Sequence, residues 1–255
     1  MEITEDEALV LTLLPHGETG AVVRFLGLSC GLVSGHVAGA RGARRRALLG
    51  PGNRVALRLK ARVSAQLPSA QVELAESRAL LAFSADTAAA VAYLTALVAA
   101  ALPEGVGHPA LAARLDRLFD RMGRGPGWAA DLVRLEAALL AEMGVGLDLE
   151  ACALGGPASD LAFVSPRSGR AVSRARAAGQ PWAGRLLPLP AFLREAEAPA
   201  GPDAVAAGLA LTGHFLAREL KDAWPRLAPL RERLVALLGA ADGPGVRPVS
   251  AGAGR

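Results

Sequence analysis

The sequence predicts an α+β protein, with an N-terminal five-stranded OB-fold β-barrel followed by a mostly helical domain that carries a small irregular insertion with a hairpin. Three observations lead there. Up to about residue 77 the apolar residues recur with period two between turn signals, and beyond about Leu80 the period lengthens to 3.6. The third is charge: from Thr19 to Val72 there is no Asp or Glu, yet the segment holds Arg24, Arg41, Arg44, Arg45, Arg46, Arg54, Arg58, Lys60 and Arg62. Five short strands with one basic face are the pattern expected of that barrel.

The strands are expected at 8–14, 21–28, 32–38, 53–63 and 70–77. Turn signals separate them: Pro15-His16-Gly17, Cys30-Gly31, the segment 39–46, Gly50-Pro51-Gly52-Asn53 and Pro68-Ser69. Residues 39–46 place two glycines in four positions and three arginines in a row, so a mobile basic loop is expected there. In 53–63, Arg54, Arg58, Lys60 and Arg62 take even positions, whereas Val55, Leu57, Leu59, Ala61 and Val63 take odd ones. A strand sends the two sets to opposite faces, with neighbours on one face roughly 6.7 Å apart. A row of cations at that pitch can follow a phosphate backbone. The plainer reading is the solvated outer face of an antiparallel strand.

The sequence divides into an OB-fold domain at 1–78, a helical domain at 79–238 with its irregular insert at about 145–200, and a Gly-, Ala- and Pro-rich tail at 239–255 that is expected to be disordered. Residues 87–102 are uncharged and apolar but fall short of the roughly 20 needed to span a bilayer, so they read as a buried helix. The next helix opens near Pro109, carries Leu111, Leu115, Leu118 and Met122 as its apolar stripe, and stops at Gly123. Another carries Leu132, Leu135, Leu139 and Met143 and ends at Gly144. Two more are expected at about 203–224, before Pro225, and at 229–238. In the insert, 161–164 and 171–173 flank a turn at 165–169 and suggest a hairpin, and 181–190 looks extended.

Outside the basic segment Asp and Glu outnumber Lys and Arg by 24 to 19, so the positive excess is local. A local basic surface implies a polyanionic partner, nucleic acid first and an anionic membrane surface second. Cys30 and Cys152 alone cannot build a disulfide framework, and the acidic start Met1-Glu2-Ile3-Thr4-Glu5-Asp6-Glu7 is unlike a secretory signal, so a cytoplasmic protein without membrane attachment is expected. Gly27-Leu28-Ser29-Cys30-Gly31 matches a hydrolase nucleophile pattern but precedes a glycine-interrupted strand where a helix is needed. The glycines at 123–127 follow a helix and lack the strand that a phosphate loop requires. His16, His36, His108 and His214 lack metal-ligand spacing, and no carboxylate pair stands out. No catalytic or metal-binding residue is therefore assigned, and a non-enzymatic protein is expected.

One helix offers more. Arg114, Arg117 and Arg121 recur at i, i+3 and i+7 beside the apolar stripe, with Arg124 beyond and Arg134 on the following helix. Such a groove suits a short acidic peptide with apolar anchors. Asp116 and Asp120 are expected to neutralise part of this stripe, which favours a merely solvated face.

Several stretches, in order and spacing, resemble the RecO family of bacterial recombination mediators. They are Ala8-Leu9-Val10-Leu11, Pro15-His16-Gly17-Glu18-Thr19, Cys30-Gly31-Leu32-Val33, Val37-Ala38-Gly39-Ala40-Arg41 and Gly50-Pro51-Gly52, then 134–144, 147–152, 160–173 and 186–190. The resemblance implies an OB-fold and a helical domain, binding to single- and double-stranded DNA, and annealing of complementary strands. It also implies work with RecR to load RecA onto DNA coated with single-strand binding protein (SSB), whose acidic, apolar-ended C-terminal tail contacts the helical domain. Localisation would be cytoplasmic, with the nucleoid when DNA is bound. On this reading the nine cations of the first domain bind DNA, and Arg114, Arg117, Arg121 and Arg134 are candidates for the tail. Some relatives hold zinc with two Cys-x-x-Cys pairs. Here Gly155 stands where the second cysteine of the pair that begins at Cys152 would be, and 172–176 has no cysteine, so no cofactor is expected. Phe25 is the only aromatic residue before Phe83, so DNA binding is expected to be mainly electrostatic and steeply salt-dependent. Two alternatives come from other classes: an OB-fold serving RNA in translation or ribosome assembly, and an adaptor acting through its helical domain alone.

Overall fold

The computed structural model describes residues 2–61 and 66–241. Five strands, β1 (Glu2–His16), β2 (Gly20–Gly27), β3 (Gly31–Val37), β4 (Arg54–Ala61) and β5 (Ser69–Glu76), close into a barrel in the order β1-β2-β3-β5-β4. Neighbours are antiparallel except β3 and β5, which meet in parallel at His36 and Ser69. That connectivity is the OB-fold. β1 is long enough to pair with both β2 and β4, and its register against β2 shifts between Val10 and Thr12. A bulge of this kind turns a barrel corner.

Period two explains the layering. Ala8, Val10, Val23, Phe25, Val55, Leu57 and Leu59 fill the barrel, together with Leu49. Leu9, Leu11, Leu26 and Leu32 belong instead to the core of the helical part. The continuous apolar run at 8–11 is thus a strand buried on both faces.

A five-residue 3-10 helix, Ala79–Phe83, leads into α2 (Ala85–Ala101), α3 (Pro109–Gly123) and α4 (Ala129–Glu142), with α1 (Ala43–Leu48) already placed between β3 and β4. α2 packs between β1 and α7 (Trp224–Ala241) and is buried around most of its circumference, which its alanines permit. Among the described residues no helix is long and apolar enough to cross a membrane. Gly144, at φ 80°, ends α4, and Val145 N–H closes back on Leu140 O at 3.0 Å. The insert holds β6 (Leu161–Val164), β7 (Ala171–Ser173) and β8 (Leu187–Pro188) in the order β7-β6-β8, followed by α6 (Pro202–Glu219); α5 (Arg174–Ala177) is a single turn after β7.

Four expectations are corrected. Residues 43–48 form helix α1 where a loop was expected, because Gly42 caps the start and Asn53 caps the end from beyond the turn. The predicted break at 225–229 lies inside α7, since Pro225 sits in the first turn, where an N–H has no partner to lose. Pro229 removes one further bond, offset by burial of Leu227 and Leu234. α7 also continues through Gly239 to Ala241; the rest of the expected tail lies outside the described residues. Within 181–190, Ala183–Arg185 is a 3-10 turn.

One polar cluster ties the helices together. Glu136 of α4, fully buried, accepts from Tyr93 Oη of α2 at 2.5 Å, from Thr212 of α6, and from Arg231 Nε and Nη2 of α7 at 3.0 and 3.1 Å. Gly213 leaves room for the guanidinium: a Cβ there would stand 2.4 Å from Arg231 Nη1.

Candidate nucleic-acid interface

The expected alternation of β4 is observed. Val55, Leu57 and Leu59 point into the barrel, and Arg54, Arg58 and Lys60 lie on the other face. The cations there do not stand alone, however. Glu5 of β1 is in register with Arg58 and pairs with its Nε at 2.7 Å. Arg54 meets Glu76 at 2.9 Å, Asp116 at 3.5 Å and Glu7 at 3.8 Å. Arg24 donates to Ala99 O at 2.5 Å and pairs with Glu104 at 3.2 Å. The picture of nine unneutralised charges is therefore corrected at these three positions: the missing acids arrive from β1, β5, α3 and the turn after α2. Arg62 lies outside the described residues.

The remaining cations behave differently. α1 is exposed along Arg44, Arg45 and Arg46. Its C-terminal carbonyls, Ala47 O and Leu48 O, accept from Asn53 Nδ2 at 2.9 and 3.0 Å, and Arg45 and Arg46 lie in its last turn, where cations complement the helix dipole. Arg45 Nη1 donates to Ala38 O at 2.6 Å, and Arg41 Nη1 to Glu18 O at 2.8 Å, which fastens Arg41 to the β1–β2 turn. Among the described residues, Arg41, Arg44, Arg45, Arg46 and Lys60 have no carboxylate within ion-pair distance. The structure thus divides the predicted set: Arg24, Arg54 and Arg58 are paired with acids, whereas Arg41, the three arginines of α1 and Lys60 have no carboxylate partner among the described residues.

A second cationic surface lies on α3. Arg114, Arg117, Arg121 and Arg124 are exposed and, with Leu118, Asp120, Asp131, Arg134 and Leu135, line an open groove of about 450 Å³. Asp116 and Asp120 do not neutralise this stripe. Arg78, at the exit of the barrel, takes both, with Nη2 at 2.6 Å from Asp120 and 2.8 Å from Asp116. The first contact is a hydrogen bond; in the second the angle falls short of one, and Asp116 Oδ1 has no hydrogen-bond donor. Only Arg134 among the groove cations is paired, with Asp131 at 2.9 Å. Arg78 itself was not legible as important: it is a lone arginine after a strand, and its partners lie some 40 residues away.

Zinc does not fit the residues present. Cys152 Sγ accepts from Ser173 N–H at 3.3 Å and lies 3.6 Å from Ser173 Oγ, and Arg176 Nη2 donates to Gly155 O at 3.4 Å. Hydrogen bonds close this part of the insert. Among the described residues no group of three or more His, Cys, Asp or Glu side chains is placed to hold a metal ion.

A closed OB barrel bearing a fixed arginine helix, joined through a shared core to a helical unit with an arginine-lined groove, has the build of a nucleic-acid-handling protein. Comparison with known proteins makes this specific. Residues 1–78 match the family described as Recombination protein O N terminal, and residues 82–228 match Recombination protein O C terminal. The chain is 48% identical over 234 residues to the DNA repair protein RecO of Paracoccus denitrificans, covering 91% of this chain and 94% of that one. It is 45% identical to RecO of Caulobacter vibrioides NA1000, covering 83% and 87% of the two chains, and 47% identical to RecO of Rhodospirillum rubrum, covering 83% and 86%. The chain belongs to the RecO family of DNA repair proteins.

Proposed function

We propose that this protein is a non-enzymatic mediator of recombinational repair, which binds single- and double-stranded DNA and anneals complementary strands. Annealing needs no nucleophile or metal. Screening two phosphate backbones and holding them close removes the main electrostatic barrier, and base pairing supplies the driving force. On this reading the protein acts with RecR to help load RecA onto DNA coated with SSB, in the cytoplasm and on the nucleoid when DNA is bound. The SSB C-terminal tail, acidic with an apolar end, docks in the α3 groove, where Arg114, Arg117 and Arg121 meet its carboxylates and Leu118 and Leu135 its apolar end.

The observation that carries the DNA reading is the contrast within the first domain. Arg24, Arg54 and Arg58 are matched by acids, whereas Arg44, Arg45 and Arg46 of α1, and Arg41 just before it, are exposed with no carboxylate beside them among the described residues. A salt titration of DNA binding by the intact protein and by the Arg44→Ala/Arg45→Ala/Arg46→Ala variant tests it. Each lost phosphate contact on a single strand lowers the slope of log affinity against log salt by about 0.7, so the variant should bind weakly with a slope flatter by about 2. An unchanged slope and affinity would remove α1 from the site.

A further inference from the structure

We infer that Phe83, with Leu80 beside it, is a stacking platform for the bases of single-stranded DNA; this rests on the DNA-binding reading above and assigns that site its apolar component. The barrel's phenyl ring, Phe25, is sealed in its core and cannot stack on a base, and the imidazoles of His16 and His36 pack edge to face on one another at 5.7 Å. Phe83 is 87% exposed and Leu80 78%, the two most exposed large apolar side chains among the described residues. They are three apart in a 3-10 helix, so they share one edge and form one patch.

The patch is rigidly held. Leu81 between them is buried in the same core as Leu118, Phe119 and Met122 of α3. Leu81 O accepts from Thr87 Oγ1 at 2.5 Å, and Arg78 N–H donates to Asn53 Oδ1 at 2.8 Å. An aromatic ring presented to solvent on a fixed turn is positioned for a ligand with a flat apolar face.

Its surroundings say which ligand. On one side, Ala79, Leu81 and Ala82 share the walls of a cleft of about 250 Å³ with Ala47, Gly50 and Pro51, next to the arginines of α1. On the other, Leu81 Cδ2 stands 4.0 Å from where a Cβ on Gly123 would be, beside Arg121 and Arg124 of α3. The turn that carries the exposed ring therefore lies between α1 and α3, whose arginines Arg44, Arg45, Arg46, Arg121 and Arg124 have no carboxylate partner among the described residues. Single-stranded nucleic acid supplies both features, anionic phosphates and flat bases, along one strand; a duplex hides the base faces. A folded partner protein would have to match both arginine sets with acids to cover the ring.

The test measures binding of a 2-aminopurine-labelled single strand and of its duplex to the intact protein, to Phe83→Ala, to Phe83→Tyr and to the α1 triple-alanine variant. Phe83→Ala should weaken single-strand affinity about tenfold, abolish the change in 2-aminopurine fluorescence, and leave the salt slope and duplex affinity unchanged, because no charge is removed. Phe83→Tyr should behave as the intact protein. Loss of Phe83 removes no core packing, so folding persists. If Phe83→Ala binds the single strand as tightly as the intact protein while the α1 variant loses binding, the stacking role falls and the DNA reading stands. If the intact protein shows no salt-dependent DNA binding, both fall.

Discussion

Arg78 donates from Nη2 to the Asp120 carboxylate at 2.6 Å, and through this bond the exit of the barrel is fixed to α3. The same guanidinium reaches Gly52 O at 3.2 Å and lies 5.5 Å from the Phe119 ring centre. By holding Asp116 and Asp120 it also keeps them away from the arginines of the α3 groove. Arg78→Ala should therefore cost about 3 kcal/mol of stability, because Asp116, mostly enclosed, loses its nearer counter-ion and keeps Arg54 at 3.5 Å alone. It should also weaken binding of an acidic peptide to the groove, as the freed carboxylates turn to Arg117 and Arg121. Urea unfolding and peptide anisotropy read the two effects separately.

Glu136→Ala should destabilise the protein by about 3–5 kcal/mol, since Arg231 then remains buried with its cation uncompensated. Glu136→Gln keeps the shape and part of the hydrogen bonding and should cost less. Burial raises the Tyr93 hydroxyl pKa, and the Glu136 charge raises it further, so Tyr93 should stay un-ionised until the protein unfolds in alkali. Ultraviolet difference titration checks this.

In the α3 groove, Arg117→Ala together with Arg121→Ala should lower the affinity for an acidic, apolar-ended peptide by about tenfold at low salt, with the difference shrinking as salt screens exposed charges. Stability should barely change, because both side chains are exposed and have no partner to strand. An equal affinity for the variant at low salt would place the peptide elsewhere.

The two cysteines should titrate in opposite directions. Burial first, then a hydrogen bond and the charge of Asp6, push the Cys30 thiol from 9.0 up to about 12. At Cys152 burial is the largest influence and raises the pKa, but donors from Ser173, Leu154 and Gly156 together outweigh it and hold the thiol down at about 7. A thiol whose folded pKa is depressed contributes stability that is full above about pH 9 and is lost as pH falls through 7; a raised one loses stability as pH climbs from 9 toward 12. The stability gap between the intact protein and Cys152→Ala should thus move in favour of the intact protein from pH 7 to 9. Above pH 9, Cys30→Ala should lose less stability than the intact protein. Urea midpoints across that range decide both.

What the sequence made legible was what depends on near neighbours. The alternation of β4, the α3 stripe of Leu111, Leu115, Leu118 and Met122, and the hairpin pairing of Phe163 with Val172 are local patterns, and the structure has them. The charge state of the basic segment was not legible. Glu5 pairs with Arg58, and Asp116 with Arg54, across 53 and 62 positions, and only the closed barrel brings them together. Helix α1 was missed for the same kind of reason: its C-terminal cap, Asn53, belongs to the turn before the next strand. The exposure of Phe83 was not legible either, because it is set by the burial of Leu81 in the core against α3.

The central claim, that an uncompensated arginine helix brings DNA strands together, is tested most directly by annealing complementary strands coated with SSB. Intact protein and the Arg44, Arg45 and Arg46 triple-alanine variant would be compared across a salt titration. The intact protein should accelerate annealing, salt should suppress the acceleration, and the variant should lose it while remaining folded. No acceleration by the intact protein even at low salt would contradict the mediator reading.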